Sequence, residues 1–108
     1  MAQDFERNKA RNVGTSASSL RTSNGDDAIV GINVANTTTS QITIQVFIND
    51  GSNDFYIVKN APVPAGSALQ VLDGGAKIVM QNNDILKVQS SADNSADVWV
   101  SAVDDIST

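Results

Sequence analysis

From Ala28 onward the chain alternates apolar and polar residues with a period of two, the pattern of a half-buried strand. In "AIVGINVAN", Ala28, Val30, Ile32 and Val34 share one parity. In "QITIQVFIN", Ile42, Ile44, Val46 and Ile48 share one face, with Thr43, Gln45 and Phe47 on the other. Turn signals separate these runs. "NTTTS" precedes the second, and "NDGSND" closes a hairpin onto "FYIVK". "NAPVPAG" follows, and its prolines remove ladder donors, so it reads as a crossing between sheets. The strands "SALQVL", "AKIVM", "ILKVQSS" and "DVWVSAV" come next, separated by "DGG", "QNND" and "ADNSA". In the last strand Val98, Val100 and Ala102 share a face.

These runs predict an all-β chain of about seven strands, or eight if part of 13–22 pairs. Turns recur about every ten residues, the spacing of an antiparallel β-sandwich. Jelly-roll and immunoglobulin-like connectivities both suit it. The expected core is Val30, Ile32, Val34, Ile44, Val46, Ile57, Val71, Ile78, Val88 and Val100. The first 24 residues lack such alternation and read as an extended N-terminal arm, leaving 25–108 as the sandwich domain. Within the arm, Asp4 to Arg11 has room for about two helical turns, too few to persist alone in water. Phe5, Val13 and Leu20 are its spaced apolar side chains.

Charge sharpens this division. The net charge is −5, unevenly spread. Residues 1–21 hold four basic and two acidic residues, whereas 22–108 hold three lysines and ten aspartates. A basic arm thus precedes an acidic body. The acidic body disfavours nucleic acid as a partner. Phe5, Arg7, Lys9, Arg11 and Val13 are the residues expected to make contacts to a neighbour.

The chain has 108 residues, no cysteine and no histidine. Disulfides, thiolate nucleophiles and Cys- or His-based metal sites are excluded, as are Ser-His-Asp triads. "NDGSND" is oxygen-rich but lacks the length and terminal Glu of an EF-hand loop, so it reads as a turn. "LDGG" lacks the Lys-Ser/Thr of a phosphate loop. The adjacent carboxylates Asp26/Asp27 and Asp104/Asp105 point to opposite faces if on strands and read as solvated charge at element ends. No catalytic, metal or cofactor residue is expected, and no enzyme activity. Tyr56 and Trp99 are possible surface contacts, the route by which a sandwich would bind sugar, while Phe47 and Phe55 are expected to be buried. The N-terminus lacks the apolar core of a signal peptide, and no apolar run approaches a membrane-spanning length, so no membrane contact is expected.

Several segments in fixed order carry a resemblance. They are "RNVGT" in the arm, "GINVANTTTSQITIQV", "NDFYIVKNAPVPAGSAL" and "DILKVQSSADNSADVWVS". Together they cover nearly the whole chain, which resembles small virion structural proteins of tailed bacteriophages, the cyanophage type especially. The resemblance implies a β-sandwich that decorates or cements the capsid, or sits in the neck, collar or tail. It also implies self-association, with a trimer among the options, and contact with other virion proteins such as the major capsid protein. The location implied is the virion, after synthesis in the host cytoplasm. No enzyme and no cofactor follow from it. Where such proteins carry a conventional apolar strand after "RNVGT", this chain has the weakly apolar "SASSLRTSNGDD".

Overall fold

A computed structural model describes residues 4–72 and 77–104. It contains nine strands and no helix among these residues. They are β1 (Asp4–Val13), β2 (Ser18–Thr22), β3 (Asp27–Asn36), β4 (Ile42–Asn49), β5 (Asp54–Val63), β6 (Ala68–Leu72), β7 (Ile78–Met80), β8 (Ile85–Ser90) and β9 (Ala96–Asp104). They form two antiparallel sheets. One has the order β1-β9-β3-β6, with β7 extending the same edge of β3. The other has the order β2-β8-β4-β5.

The pairings are nested. β4 pairs with β5, β3 with β6 and β7, β2 with β8, and β1 with β9. Rolling this nested hairpin so that successive pairs fall in alternate sheets gives the jelly roll, and the immunoglobulin-like alternative is set aside. The turns gather at two ends. Turns 23–26, 50–53 and 81–84 lie at one end, and 14–17, 37–41, 64–67 and 91–95 at the other.

The core lies between the sheets. Ile32, Val34, Ile44, Val46, Val88 and Val100 are buried as expected, and Ile57, Val71 and Ile78 pack against them partly buried. Val30 is not in this cluster. A bulge between Ile29 and Gly31 on the β9 side adds one residue, and the alternation changes parity there. Ile29 becomes fully buried in place of Val30.

The N-terminal segment departs most from expectation. Residues 4–13 are neither helix nor detached arm but the edge strand β1, seated along the whole of β9. Residues 18–22 form β2 on β8, in the weakly apolar stretch. Val13 is a core residue, not a contact for a neighbour. Elsewhere β5 runs on through Pro62, which an edge strand tolerates because its free side needs no donor. Residues 73–76, with most of the "LDGG" turn, and the acidic tail 105–108 lie outside the described residues.

Candidate surface site

The outer face of the five-stranded sheet gathers most of the predicted contact residues. Strand alternation turns Phe5, Arg7 and Lys9 of β1 the same way. Their register partners on β9 are Val103, Ser101 and Trp99, and Trp99 faces Asn33 on β3. A groove of about 420 Å³ opens here, lined by Lys9, Arg11, Asn33, Ala35, Asp97 and Trp99 among others.

Each wall is held in place by identifiable contacts. The Arg7 guanidinium lies 5.3 Å from the Trp99 ring centroid, a cation–π contact. Asn12 takes a positive φ of 55°, which Asn tolerates better than most residues, at the bulge that ends regular β1 pairing. Its backbone N–H donates to Asp97 Oδ1 at 3.1 Å, fixing the opposite wall. Gln70 Nε2 donates to Asn33 Oδ1 at 2.9 Å. Lys9 and Arg11 make no ion pair among the described residues.

Four of the five residues first assigned to an arm therefore lie on a fixed strand, with Arg7, Lys9 and Arg11 near Trp99 and Phe5 opposite Val103. Phe5 is 86% exposed and Trp99 49% exposed. Tyr56 lies on the other sheet and does not join them. It tilts against buried Phe47 with centroids 5.0 Å apart, and the Lys59 ammonium sits 4.9 Å from its ring. Phe55, expected inside, is 59% exposed.

Phe55 follows the β4–β5 turn, which is an exposed acidic tip. Its "NDGSND" sequence is a turn braced by its own side chains. Ser52 and Asn53 N–H groups donate to Asp50 Oδ1, and Asn49 Nδ2 donates to Asp54 Oδ1. The backbone N–H groups of Asn53 and Ser52 hold the Asp50 carboxyl below its ordinary range, so it stays ionised at neutral pH.

A second polar cluster was not legible as such. Arg21, counted among the basic arm residues, is buried and reaches between the sheets. Its Nε donates to Asp27 Oδ2 at 3.0 Å, and its Nη1 to Glu6 Oε1 at 2.9 Å and Asn8 Oδ1 at 3.0 Å. Nη2 lies 3.4 Å from Asp104 Oδ1. Asp27 is fully buried, which corrects its reading as solvated charge. Burial pushes the Asp27 carboxyl up, but its polar neighbours Asp104, Arg21 and Ser23, with the Arg21 guanidinium bonded directly to it, outweigh this and hold it below the ordinary range. The guanidinium fills the point where the carboxylates converge, so the cluster acts as a tie between β1, β2, β3 and β9. The sequence signal was slight, a basic and an acidic residue flanking the "TSNGD" turn.

No protein-family model matches the chain, and no curated protein matches it in sequence. Solved structures that share the fold include two chains of assemblies. One is a chain from Bacillus endospore appendages, described as a novel family of disulfide-linked pili. It is 19% identical, with a TM-score of 0.56, covering 94% of this chain and 84% of that one. The other is a chain of infectious bursal disease virus, Gx strain, 12% identical with a TM-score of 0.53. It covers all of this chain but only 34% of that one. At such identities the likeness is one of fold. The disulfide linkage of the appendages has no counterpart here, because this chain has no cysteine.

Proposed function

We propose that this chain is a structural building block that works through surfaces, as a decoration or cement protein on the capsid of a tailed bacteriophage. The observation that carries this reading is the outer face of the five-stranded sheet. It sets Phe5, Arg7, Lys9, Arg11 and Trp99 in exposed or half-exposed rows on a rigid strand pair. Exposed aromatics interleaved with cations are a contact surface. The sequence resemblance to phage virion proteins supports the particle, and the two fold neighbours, a pilus chain and a virus chain, are themselves parts of assemblies. Its partners in this reading are further copies of itself and the major capsid protein. Its place is the virion, and it performs no turnover. A neck, collar or tail position uses the same surface at lower copy number.

The test is the copy number and position of the chain in purified particles, by cryo-electron microscopy with mass spectrometry. Hundreds of copies over the shell are expected for decoration. A handful at one vertex means neck or tail, and absence from particles overturns the virion reading. The Trp99 groove also suits stacking on a sugar, the second reading. Glycan binding lost in Trp99→Ala, with the fold intact, would favour a carbohydrate-binding module instead.

A further inference from the structure

We propose that the groove beside Trp99 receives the β4–β5 turn of a second copy of this chain, joining subunits head to tail. The inference rests on the building-block reading above and specifies how copies meet.

Charge complementarity carries it. The groove side is cationic, with Arg7, Lys9 and Arg11 along β1 against the carboxylate of Asp97. The turn is anionic, with Asp50 and Asp54 exposed and Phe55 projecting beside them. The two surfaces carry opposite charge, and each presents an exposed aromatic group. Trp99 and Phe55, both exposed in the single chain, would be covered by one contact. Such an arrangement is a small aromatic core within a charged rim.

The fold places these two surfaces far apart. The groove lies over β1, β9 and β3, toward the end that holds turns 14–17 and 91–95. The β4–β5 turn lies at the opposite end, on the other sheet and the other lateral edge, where β5 adjoins β6. The longest dimension is 45 Å. A chain therefore cannot satisfy its own groove, and the contact is heterologous. It closes into a ring or runs on as a filament according to the rotation between neighbours.

The obvious symmetric alternative is disfavoured by β1 itself. Antiparallel pairing of two β1 edges would oppose Arg7, Lys9 and Arg11 with the same residues of the other copy. Like charges facing across a ladder are destabilising. Charged side chains on an edge strand also guard against such pairing.

The experiment uses two charge-altered full-length chains. One is Lys9→Glu/Arg11→Glu in the groove, and the other Asp50→Asn/Asp54→Lys at the turn. Asn at position 50 retains the side-chain oxygen that braces the turn. Sedimentation velocity over a concentration series, at low and high salt, reads the association. The wild type is expected to associate, more weakly at high salt. Each variant alone should associate about tenfold more weakly or worse, and an equimolar mixture should recover it, because each altered surface then meets its complement. Circular dichroism confirms the fold of each variant. If the turn variant does not fold, Phe55→Ser replaces it, with loss of association expected. A wild type that associates while the variants associate equally well would overturn the groove-and-turn contact and leave the building-block reading intact. A wild type that stays monomeric throughout would overturn this contact, and absence from particles separately tests the reading beneath it.

Discussion

Replacing Arg21 by Met removes the cation from a place where water cannot substitute for it. The Arg21 side chain is 7% exposed and the Asp27 side chain 0%. Arg21→Met leaves the Asp27 carboxylate buried without its main counter-charge. Breaking a buried pair in this way costs about 3–5 kcal/mol. Glu6, at 45% exposure, loses little, because water takes over its hydrogen bonds. Against a total stability of roughly 5–15 kcal/mol, that loss is a large fraction. At about 4–8 °C per kcal/mol for a domain near this size, the melting temperature should fall on the order of 15–30 °C. The double variant Arg21→Met/Asp27→Leu removes both buried charges and should recover most of the loss. Urea is the denaturant of choice, since it leaves electrostatics unscreened. The same pair predicts acid lability. The folded Asp27 carboxyl is held below its ordinary value of 3.8, so its stabilising contribution is complete above about pH 4. That contribution is lost as pH falls through the folded pKa, and the double variant should lack this part of the acid dependence. An Arg21→Met cost under about 1 kcal/mol, or a double variant no better than the single, would refute the account of the tie.

Three further outcomes follow from particular contacts. Ile29→Ala should cost about 2–5 kcal/mol and Val30→Ala under about 1 kcal/mol in urea unfolding, the reverse of a strict period-two reading, because the bulge buries Ile29. Gly14→Ala should cost about 1–3 kcal/mol. Its Cβ would lie 2.7 Å from Asp93 Oδ1 and 3.2 Å from Asp93 Cα, displacing the carboxylate that accepts from Thr15 N–H and Oγ. Loss of the acid titration of the Thr15 amide shift would report the displacement. Deleting residues 1–12 should lower the urea midpoint markedly, since it removes β1 with the Glu6 and Asn8 links to Arg21, whereas Phe5→Ser should leave the midpoint nearly unchanged because Phe5 is exposed.

The strands with one apolar face could be read from the sequence. β4 and β9 show Ile42, Ile44 and Val46, and Val98, Val100 and Ala102, at every second position, and all six are buried. β3 was half legible, because periodicity cannot register a residue inserted by a bulge. β1 carries no continuous apolar face. Its odd positions are Phe5, Arg7, Lys9, Arg11 and Val13, and its even positions begin Asp4, Glu6 and Asn8. That two-residue spacing was itself a strand signal, but it is written in charges, and hydrophobic periodicity does not see it. The meeting of Lys9 with Trp99 joins positions 90 residues apart and depends on the nested topology. Arg21 and Asp27 look like solvated charges until the sheets close over them.

Seating β1 also changes what kind of contact the chain can make. A disordered arm that latches onto a neighbour must lose its conformational freedom on binding, roughly 1–2 kcal/mol of backbone entropy for each residue ordered. Here that ordering is already done. The ladder to β9 fixes the backbone, Arg21 ties its inner face through Glu6 and Asn8, and Arg7 is stacked on Trp99. The outward cations are therefore presented at fixed spacing before any partner arrives. A preorganised face of this size can bind through a few charge pairs and one aromatic cluster. The buried tie and the exposed groove are thus two sides of one strand. Glu6 and Asn8 hold β1 through Arg21, while Arg7, Lys9 and Arg11 stay exposed.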